Sequence, residues 1–241
     1  MEDMHVVVTG GAGFIGSTLA RTLTENGNNV TVVDNLSTGH LRNIQDLIDN
    51  KRIKFIRGSI TDLGLLKKVF KNVDYVFHEA AIVGISQSIK DPITTSNVNI
   101  NGTLNVLLAA RDNRVRKVVF ASSCAVYGNP SSFPIKENTA PDPLTPYALS
   151  KLVGEYYCHV FNKIYDLPTV SLRYFNVYGP YQNPNGEYAA VIPKFINQML
   201  NGRPLTIYGD GTQTRDFIYI ADVVRANIIA AEKKEATGVY N

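Results

Sequence analysis

The segment "LTPYALSK", residues 144–151, places a weak acid and a cation one helical turn apart. Tyr147 lies four residues before Lys151 and directly after Pro146, and proline is favoured in the first turn of a helix. Holding a phenol ionised near neutral pH needs about 4 kcal/mol of differential stabilisation, which one positive charge at about 4 Å supplies in an effective dielectric of about 20. The pair is therefore a candidate proton-transfer site. The alternative is an exposed helical pair that contributes roughly 0.2–0.5 kcal/mol.

A glycine-rich segment gives a second chemical signal. "VVVTGGAGFIGS" places Gly10, Gly13 and Gly16 between a predicted strand and a predicted helix, a spacing that permits a sharp turn, close approach to a pyrophosphate and tight helix packing. The next strand ends at Asp34, where a carboxylate can accept the ribose hydroxyls of an adenosine and repel a 2′-phosphate. The segment therefore predicts NAD as the cofactor. The simpler alternative is that Asp34 only caps the loop "NLSTG".

The elements that position these residues alternate along the chain. Strands of β-branched residues buried on both faces, joined by helices, predict an α/β fold with a doubly wound parallel (Rossmann) sheet, whose ligands bind at the carboxyl ends of the strands. The predicted strands carry "HVVV", "NVTVVD", "IKFIRG", "YVFHEA", "RKVVFASS" and "TVSLRYF", and the predicted helices lie at 14–26, 62–70, 97–112 and 147–166, with Asp62 as an N-cap.

The pattern changes after Phe175, where a segment rich in Gly, Pro and Asn precedes a helix and two short predicted strands, "PLTIYG" and "RDFIYI". We expect residues 1–174 to form an NAD-binding Rossmann domain, to which residues 222–234 return. Residues 175–221 are predicted to form part of a second, smaller substrate lobe. The chain stops at "TGVYN", in what resembles the opening of a strand, so we expect this lobe to be incomplete and to continue beyond Asn241.

Composition argues against several classes of partner and site. Charged residues make up 19% of the chain and the net charge is +3, with Lys and Arg scattered, so we expect neither nucleic acid nor a membrane as a partner. No apolar run approaches the ~18 residues of a membrane span, and no leader precedes the first strand, which predicts a cytoplasmic protein. Cys124 and Cys158 lack the spacing of a zinc site or a disulfide framework. We expect buried thiols and no metal.

A hydroxyl group completes the candidate site. The fifth strand ends in "FASSCAVYG", so Ser122 or Ser123 would lie at the ligand-binding edge. Together with the glycine segment and the Tyr147–Lys151 pair, these residues make the chain resemble the extended short-chain dehydrogenase/reductase family, and within it the UDP-glucose and UDP-N-acetylglucosamine type of nucleotide-sugar 4-epimerase. The resemblance extends through "HEAA", "NINGT", "PYALSK", "LRYFNVYGP" and "TRDFIYIADV", and it selects Ser123 as the catalytic hydroxyl.

The resemblance also implies binding residues. Those implied for NAD are Gly10, Gly13, Phe14, Ile15, Gly16, Asp34, Asn35, Ser37, Gly39, Ser59, Ile60, Ala80, Ala81, Asn99, Ser122, Tyr147, Lys151 and Phe175. Those implied for the substrate, a UDP-sugar, are Ser123, Tyr147, Asn176, Ala190, Val191, Thr206, Tyr208 and Arg215. Ser59 departs from the family pattern, which has Asp at this position. Residues 175–221 would then belong to a sugar-nucleotide-binding lobe.

The reaction implied is 4-epimerisation, which interconverts gluco and galacto sugars through a transient 4-keto sugar and enzyme-bound NADH. Ser123, Tyr147 and Lys151 are the implied catalytic residues. Relatives that eliminate water use an Asp-Glu pair directly after the catalytic hydroxyl residue, where this chain has Cys124 and Ala125. Two alternatives stay open: another NAD-dependent nucleotide-sugar enzyme (dehydratase, decarboxylase or reductase), and a non-catalytic NAD-binding sensor. The stretch "NPNGEYAAVIPKF" favours N-acetylated sugars.

Structural roles compete with functional ones at three positions. His78 has no paired base in the sequence and is interpreted as a structural histidine, whereas Asn176 and Arg215 lie in turn-like segments that they could simply cap.

The resemblance further implies a homodimer in which helices 97–112 and 147–166 pack across a twofold axis.

Overall fold

A computed structural model describes residues 1–183 and 190–241. Within that part of the chain, the strands share one direction in each of two sheets. The strands are β1 (His5–Thr9), β2 (Asn29–Asp34), β3 (Ile53–Arg57), β4 (Tyr75–His78), β5 (Lys117–Ser123), β6 (Thr169–Tyr174), β7 (Asn176–Tyr178), β8 (Phe217–Tyr219) and β9 (Gly238–Tyr240).

Helices connect most of the strands. They are α1 (Phe14–Glu25), α2 (Gln45–Asp49), α3 (Leu63–Val69), α4 (Ile85–Lys90), α5 (Pro92–Ser96), α6 (Gly102–Asp112), α7 (Pro146–Tyr165), α8 (Val191–Leu200) and α9 (Ile220–Glu232). A π-helical turn, Asn97–Asn101, leads into α6, and short 3₁₀ turns lie at Leu41–Asn43 and Cys124–Tyr127.

The main sheet has the order β3-β2-β1-β4-β5-β6-β9, with every neighbouring pair parallel. The order reverses between β1 and β4, and the crevice outside the strand ends at such a reversal is the usual ligand site of an open α/β sheet. The doubly wound parallel fold predicted from the sequence is therefore confirmed.

The sheet is buried on both faces, which explains why its strands are nearly continuous apolar runs. One hydrophobic cluster lies between the sheet and helices α1 and α9, and it includes Leu19, Val32 and Val224. The other lies against α3, α6 and α7 and includes Leu66 and Phe120. The two clusters fix the strand ends, and with them the loops that follow.

The long elements follow the sequence prediction closely. The six predicted strands are all present, and Asp62 caps α3 by accepting a hydrogen bond from the Leu65 amide at 2.9 Å. The predicted strand "PLTIYG" is wrong: no ladder hydrogen bonds form at residues 204–209, whose Thr206 instead bonds to Gln198 of α8 at 3.1 Å. The "NVY" segment, predicted as loop, is β7, because β8 provides a parallel partner for its backbone.

The second sheet contains only β7 and β8 within the described residues. After β8 the chain returns to the main sheet, where α9 packs against α1, β5 and β6 and β9 pairs with β6. The predicted division at residues 174 and 221 stays a prediction.

The end of α9 is attached to β5 by a charged side chain. The buried ammonium group of Lys117 donates hydrogen bonds to the carbonyl oxygens of Ala230, Lys233 and Ala236 at 3.1, 2.5 and 3.1 Å. A cation among carbonyl groups at and just beyond the C-terminal end of a helix is a favourable arrangement. In residues 1–183 and 190–241, no helix is long and apolar enough to cross a membrane.

Candidate active site

The glycine segment forms the turn from β1 to α1, and two of its glycines are sterically required. Gly10 has φ +71°, and a Cβ there would lie 2.6 Å from the Ala80 nitrogen. A Cβ on Gly16 would lie 2.3 Å from the Gly10 carbonyl oxygen. At Gly13, by contrast, the nearest atom would be at 3.1 Å, which leaves the backbone open to a ligand.

The start of α1 fits the pyrophosphate that the sequence predicts. Gly13 occupies the N-cap position, where no side chain accepts a hydrogen bond from the first turn, and that turn contains no acidic residue. The amides of Phe14 and Ile15 belong to this uncapped, positively polarised helix end, which favours an anion. These observations fit a dinucleotide, so the residues predicted to bind NAD at this edge are retained as a proposal.

Asp34 ends β2 and is buried beside the glycine turn. Its carboxylate accepts hydrogen bonds from the amides of Ala12 at 3.0 Å and Leu36 at 2.7 Å. Each oxygen therefore keeps acceptor capacity for a hydroxyl group. The carboxylate both positions the glycine turn and stays available to a ribose, so the capping and binding interpretations are compatible.

The loops that follow β2 and β3 contain the next predicted residues. Asn35 accepts a hydrogen bond from the Ser37 amide at 3.0 Å, and Gly39 is packed so tightly that a Cβ would lie 3.0 Å from an Asp34 carboxylate oxygen. Ser59 bonds to the Thr61 hydroxyl at 2.8 Å, and Ile60 is buried. A contact of Ser59 or Ile60 with an adenine would therefore depend largely on the backbone.

Asn99 holds the loop that contains Ala80 and Ala81. Its buried amide group donates to the Ile82 carbonyl at 2.9 Å and to the Ser150 hydroxyl at 3.0 Å, and it accepts from the Ile82 amide at 2.8 Å. Both amide hydrogens are therefore occupied within the protein. Asn99 positions this loop, and only a remaining lone pair of its oxygen could meet a cofactor.

His78 is a neutral structural residue. Thr103 donates its hydroxyl hydrogen to the Asn99 carbonyl at 2.6 Å, so it accepts a hydrogen bond from His78 Nε2 at 2.9 Å, while Thr9 donates to His78 Nδ1 at 2.8 Å. Burial, together with Lys151, lowers the pKa of His78 to about 3. The hydrogen-bonded chain connects β1, β4 and α6 beneath the site.

Tyr147, Lys151 and Ser123 lie together at this edge of the sheet. Thr145 caps α7 by accepting from the Ala148 amide at 3.1 Å, and Pro146 occupies the first helical position. The Ser123 hydroxyl accepts from the Ala125 amide at 3.1 Å and lies close enough to Tyr147 to influence the pKa of its phenol. The buried Lys151 ammonium donates to the Ala121 carbonyl at 2.6 Å and lies 6.0 Å from the centre of the Tyr147 ring.

The pKa of Tyr147 corrects one expectation. Burial raises the pKa of the Tyr147 phenol above its usual value, and the influence of the Ser123 hydroxyl opposes that rise. Burial also lowers the pKa of Lys151 to about 8, partly offset by Glu79. The prediction that Lys151 alone nearly suffices to ionise the phenol is therefore wrong, because desolvation acts against both charges.

Ser122 faces away from this group. Its hydroxyl donates to Glu155 at 2.5 Å, and Glu155 is held by Arg173 through two hydrogen bonds at 2.9 and 2.7 Å. The Ser122 side chain is therefore engaged with this buried ion pair. Because successive strand residues point to opposite faces of the sheet, it points away from Ser123. The predicted cofactor contact of Ser122 could come only from its backbone.

Phe175 follows β6 and packs on a small cluster of Val126, Tyr127 and Leu152. Directly after it, Asn176 begins β7, and its side-chain amide donates to the Asp216 carbonyl at 3.0 Å. Arg215 is exposed, and its guanidinium donates to the Thr214 carbonyl at 2.7 Å. Asn176 and Arg215 thus approach one another through the β7–β8 pairing.

The remaining predicted substrate residues lie on and beside α8. Ala190 is the N-cap of α8 and Val191 its first residue; residues 184–189 of the preceding stretch are outside the described part of the chain. Thr206 bonds to α8, and the Tyr208 hydroxyl accepts from Lys194 of α8 at 2.8 Å. These four residues flank one helix, and their contact with a substrate stays a prediction.

Glu79 is the residue that the sequence reasoning missed. It follows β4, and the Tyr174 hydroxyl donates to its carboxylate at 2.8 Å. Burial raises the pKa of Glu79 to about 7, opposed by the bond from Tyr174 and by Lys151. The sequence signal that could have identified Glu79 is the segment "FHEAA", in which a carboxylate lies between a buried strand and two alanines.

Comparison with known proteins identifies relatives along nearly the whole chain. The UDP-glucose 4-epimerase of Mycolicibacterium smegmatis is 40% identical over 230 residues, which cover 94% of this chain and 73% of that protein. The solved UDP-N-acetylglucosamine 4-epimerase from Methanobrevibacter ruminantium M1, in complex with UDP-N-acetylmuramic acid, is 44% identical with a TM-score of 0.96 and covers 100% of this chain and 76% of its own.

A third relative is the UDP-glucose 4-epimerase of Thermus thermophilus, solved in complex with NAD. It is 40% identical with a TM-score of 0.89 and covers 99% of this chain and 77% of its own. The model of the NAD dependent epimerase/dehydratase family matches residues 6–241. Because that match spans far more than half of the chain, the protein belongs to the NAD dependent epimerase/dehydratase family.

Proposed function

We propose that the protein is a UDP-sugar 4-epimerase that interconverts gluco and galacto configurations and uses NAD. The observation that carries this proposal is the grouping of Ser123, Tyr147 and Lys151 at the same sheet edge as the uncapped start of α1 and Asp34. The relatives described above are epimerases of UDP-sugars. The chemistry that NAD supplies when bound is reversible uptake of the C4 hydrogen with its electron pair.

In this proposal the protein's own groups move one proton and orient one oxygen. Tyr147 accepts the proton of the sugar 4-hydroxyl and later returns it, which makes it the general base and then the general acid. Ser123, whose hydroxyl lies close enough to Tyr147 to lower the pKa of its phenol, orients the reacting oxygen. Between the two proton transfers, the transient 4-keto sugar rotates while the nucleotide stays bound. No net redox change results.

The electrostatics of Tyr147 determine when it can act as a base. Burial raises its pKa, so the phenol becomes a useful base only when positive charge lies close to it. Lys151 supplies one such charge. The oxidised nicotinamide ring is a second positive charge, so cofactor binding and proton acceptance by Tyr147 favour each other.

Two side chains argue against the dehydrating members of the family. Cys124 and Ala125 occupy the positions after Ser123 at which dehydration would need an acid and a base. Burial raises the pKa of the Cys124 thiol, so it stays neutral, and Ala125 has no titratable group. Epimerisation at C4 requires no further acid or base, which makes it the better match.

The nucleotide end of the substrate is proposed to meet the smaller lobe. Arg215 is exposed on the strand side of that lobe and its planar fork suits a diphosphate, with Asn176 beside it. Ala190, Val191, Thr206 and Tyr208 surround α8 and are proposed to enclose the base. The expectation of an N-acetylated sugar rests on residues 183–195, part of which lies outside the described residues.

We also propose that the protein is a homodimer. Helices α4 and α5 pack against α7, and their outer faces expose Ile89, Ile93, Tyr156 and Ile164 at 61, 81, 59 and 68%. Apolar patches of this kind mark interfaces, and a second copy of the chain is the occupant we propose. The patch includes α7, one of the two helices that the sequence resemblance implies, and the packing of helices 97–112 and 147–166 across a twofold axis stays a prediction.

A direct assay tests the function. Purified protein is incubated with UDP-galactose or UDP-N-acetylgalactosamine, without added NAD, and the sugar is followed by ¹H NMR. We expect the C4 configuration to equilibrate with no accumulation of oxidised sugar. Stoichiometric reduction of added NAD would indicate a dehydrogenase instead, and the appearance of a stable 4-keto-6-deoxy sugar would indicate a dehydratase.

A further inference from the structure

Glu79 is a titratable group that the proposed mechanism leaves unused. It lies at the end of β4, where its amide donates to the Thr9 carbonyl at 3.1 Å. The residue keeps some exposed surface, but desolvation is the largest influence on its carboxyl group and raises its pKa to about 7. A carboxylate kept in such a place needs a partner.

Two residues on other elements hold the Glu79 carboxylate. Tyr174, at the end of β6, donates its hydroxyl to Glu79 at 2.8 Å, and the Asn227 side chain of α9 donates to the Tyr174 oxygen at 2.7 Å. Asn227 is fully buried and also donates to the Val223 carbonyl at 2.9 Å. The carboxylate is therefore fixed by a chain that begins inside α9.

The phenol of Tyr174 reaches Glu79 across an intervening strand. Strand β5 lies between β4 and β6. Its Ser123 is opposite Tyr174, and its small Ala121 lies one position beyond the His78–Phe120 pair, next to Glu79. Phe120 packs on the α7 side of the sheet, so the Ala121 side chain points to the α9 side. A large side chain at Ala121 would separate Tyr174 from Glu79.

Lys151 lies next to this chain of hydrogen bonds. Its ammonium donates to the carbonyl of Ala121 at 2.6 Å. His78 pairs with Phe120 in the β4–β5 ladder, so Glu79 and Ala121, one position further, are cross-strand neighbours. Glu79 is the largest influence that raises the pKa of Lys151, and Lys151 in turn lowers that of Glu79.

The other groups that face Lys151 offer it little charge. Glu155 is neutralised by its two hydrogen bonds with Arg173, and burial raises the pKa of Cys158 to about 12, so that thiol is neutral. His78 is neutral as well, with its pKa lowered to about 3. Tyr147, with its raised pKa, is protonated. Among the described carboxylates that influence the pKa of this ammonium, Glu155 is paired with Arg173 and Glu79 has no cationic partner within 4.0 Å.

We propose that Glu79 is the counter-charge that keeps Lys151 protonated during the reaction, and that Tyr174 and Asn227 position its carboxylate. This inference rests on the proposed function, in which Lys151 must be a cation beside Tyr147. Glu79 acts through Lys151 and is therefore a positioning residue. It defines a pH window, because the carboxylate is charged above about pH 7 and the ammonium is charged below about pH 8.

The first test measures Lys151 directly. Protein labelled with [ε-¹³C]lysine is titrated by NMR, and the Lys151 signal is assigned from a Lys151→Arg variant. Glu79→Gln is expected to lower the pKa of Lys151 by about one unit or more, a tenfold change in its protonation equilibrium. Glu79→Asp should restore most of the wild-type value. Glu25→Gln, the same chemical change on the exposed end of α1, should alter nothing.

The second test uses the pH profile of kcat/KM for epimerisation. Glu79→Gln removes the carboxylate whose ionisation sets the low-pH edge of the window, so that edge should disappear, and the high-pH limb set by Lys151 should move to lower pH because Glu79 raises the pKa of Lys151. Loss of structure alone would lower the profile without moving its limbs. Tyr174→Phe removes the bond that lowers the pKa of Glu79, and its Lys151 titration should lie between wild type and Glu79→Gln.

Unchanged Lys151 titrations in Glu79→Gln and Tyr174→Phe would overturn the inference. If Glu79→Gln does not fold, the Glu79→Asp and Tyr174→Phe titrations decide in its place. The NMR titration requires no turnover, so it tests the role of Glu79 even if the protein proves not to be an epimerase.

Discussion

At the scale of single residues, burial shifts the pKa values of the two neighbouring groups, Tyr147 and Lys151, in opposite directions. Tyr147 is harder to ionise than a free phenol and Lys151 is easier to deprotonate than a free amine. Neither group therefore carries the reactive charge by itself. The function depends on the charges added beside them, which are Glu79 on the protein side and the cofactor on the other.

Replacing Tyr147 by Phe removes the proposed proton acceptor and keeps the ring. We expect kcat to fall by about 10²–10⁴-fold, the usual contribution of a general acid–base group, while NAD affinity changes little. Turnover is measured by NMR and NAD binding by calorimetry. Tyr165→Phe, the same change at the exposed end of α7, is the control and should leave kcat within about twofold of wild type. Near-normal turnover in Tyr147→Phe would rule out this mechanism.

Residue types and spacing were sufficient to single out Gly10, Asp34, Tyr147 and Lys151 as candidates, because Gly10 and Asp34 stand at the ends of the first two strands and Tyr147 follows the proline that begins α7. They were insufficient for Glu79. Its importance comes from Tyr174 and Asn227, which lie 95 and 148 positions away in sequence (174 − 79 and 227 − 79), so no local pattern connects them. The state of Tyr147 was also out of reach, since desolvation depends on the surrounding fold.

At the scale of elements, the site depends on how β1, β4 and α6 are joined beneath it. The Thr9–His78–Thr103 chain crosses all three, and Thr103 continues it to the Asn99 carbonyl. The π-helical turn Asn97–Asn101 precedes α6, at the point where Asn99 turns its side chain toward the Ile82 loop. Turns of this type commonly mark functional positions.

Acid should weaken this junction. The folded protein holds His78 neutral down to about pH 3, whereas the unfolded chain protonates it near pH 6.5. The contribution of His78 to stability is therefore complete above about pH 6.5 and is lost progressively as the pH falls toward about 3. The expected slope from this one group is up to about 1.4 kcal/mol per pH unit.

Urea unfolding of wild type and His78→Gln at several pH values measures that slope. Glutamine can accept from Thr9 and donate to Thr103 but does not titrate, so its free energy of unfolding should fall less steeply between pH 6 and 4, while the carboxylates contribute equally to both proteins. Parallel curves for the two proteins would contradict the assignment of His78 as neutral.

Long elements were predictable, whereas short ones were not. The six strands of the main sheet that precede Phe175 are rich in β-branched or aromatic residues and were found with their ends within two residues. Helices α4 and α5 have six and five residues, too few to show a helical period. The "PLTIYG" segment has strand-forming residues but no neighbouring strand, and a strand requires a partner for its backbone.

At the scale of the whole molecule, the apolar faces of α4, α5 and α7 form the surface that we propose as the dimer interface. Ile93 and Ile164 are 81 and 68% exposed, an unusual degree for isoleucine. A twofold axis through this surface would bury them against their own copies. Both catalytic residues of α7 would then sit on an element that the partner stabilises.

The double variant Ile93→Lys, Ile164→Lys should convert the dimer to a monomer. Burying charge without a partner opposes association, so the sedimentation-velocity mass is expected to halve at micromolar concentration. Ile229→Lys, on the exposed face of α9, is the matched control and should leave the mass unchanged. A wild-type protein that sediments as a monomer would contradict the proposed dimer.

Lys117 gives the folding of this chain an order. Three carbonyl groups at the end of α9 converge on its ammonium, over sequence separations of 113 to 119 residues. On the ribosome, β5 emerges before α9 is synthesised, so the carbonyl partners of Lys117 reach it only after the C-terminal segment has been made. The arrival of α9 supplies its acceptors and brings β9 to the free edge of β6, which makes closure of the C-terminal segment a late step of biogenesis.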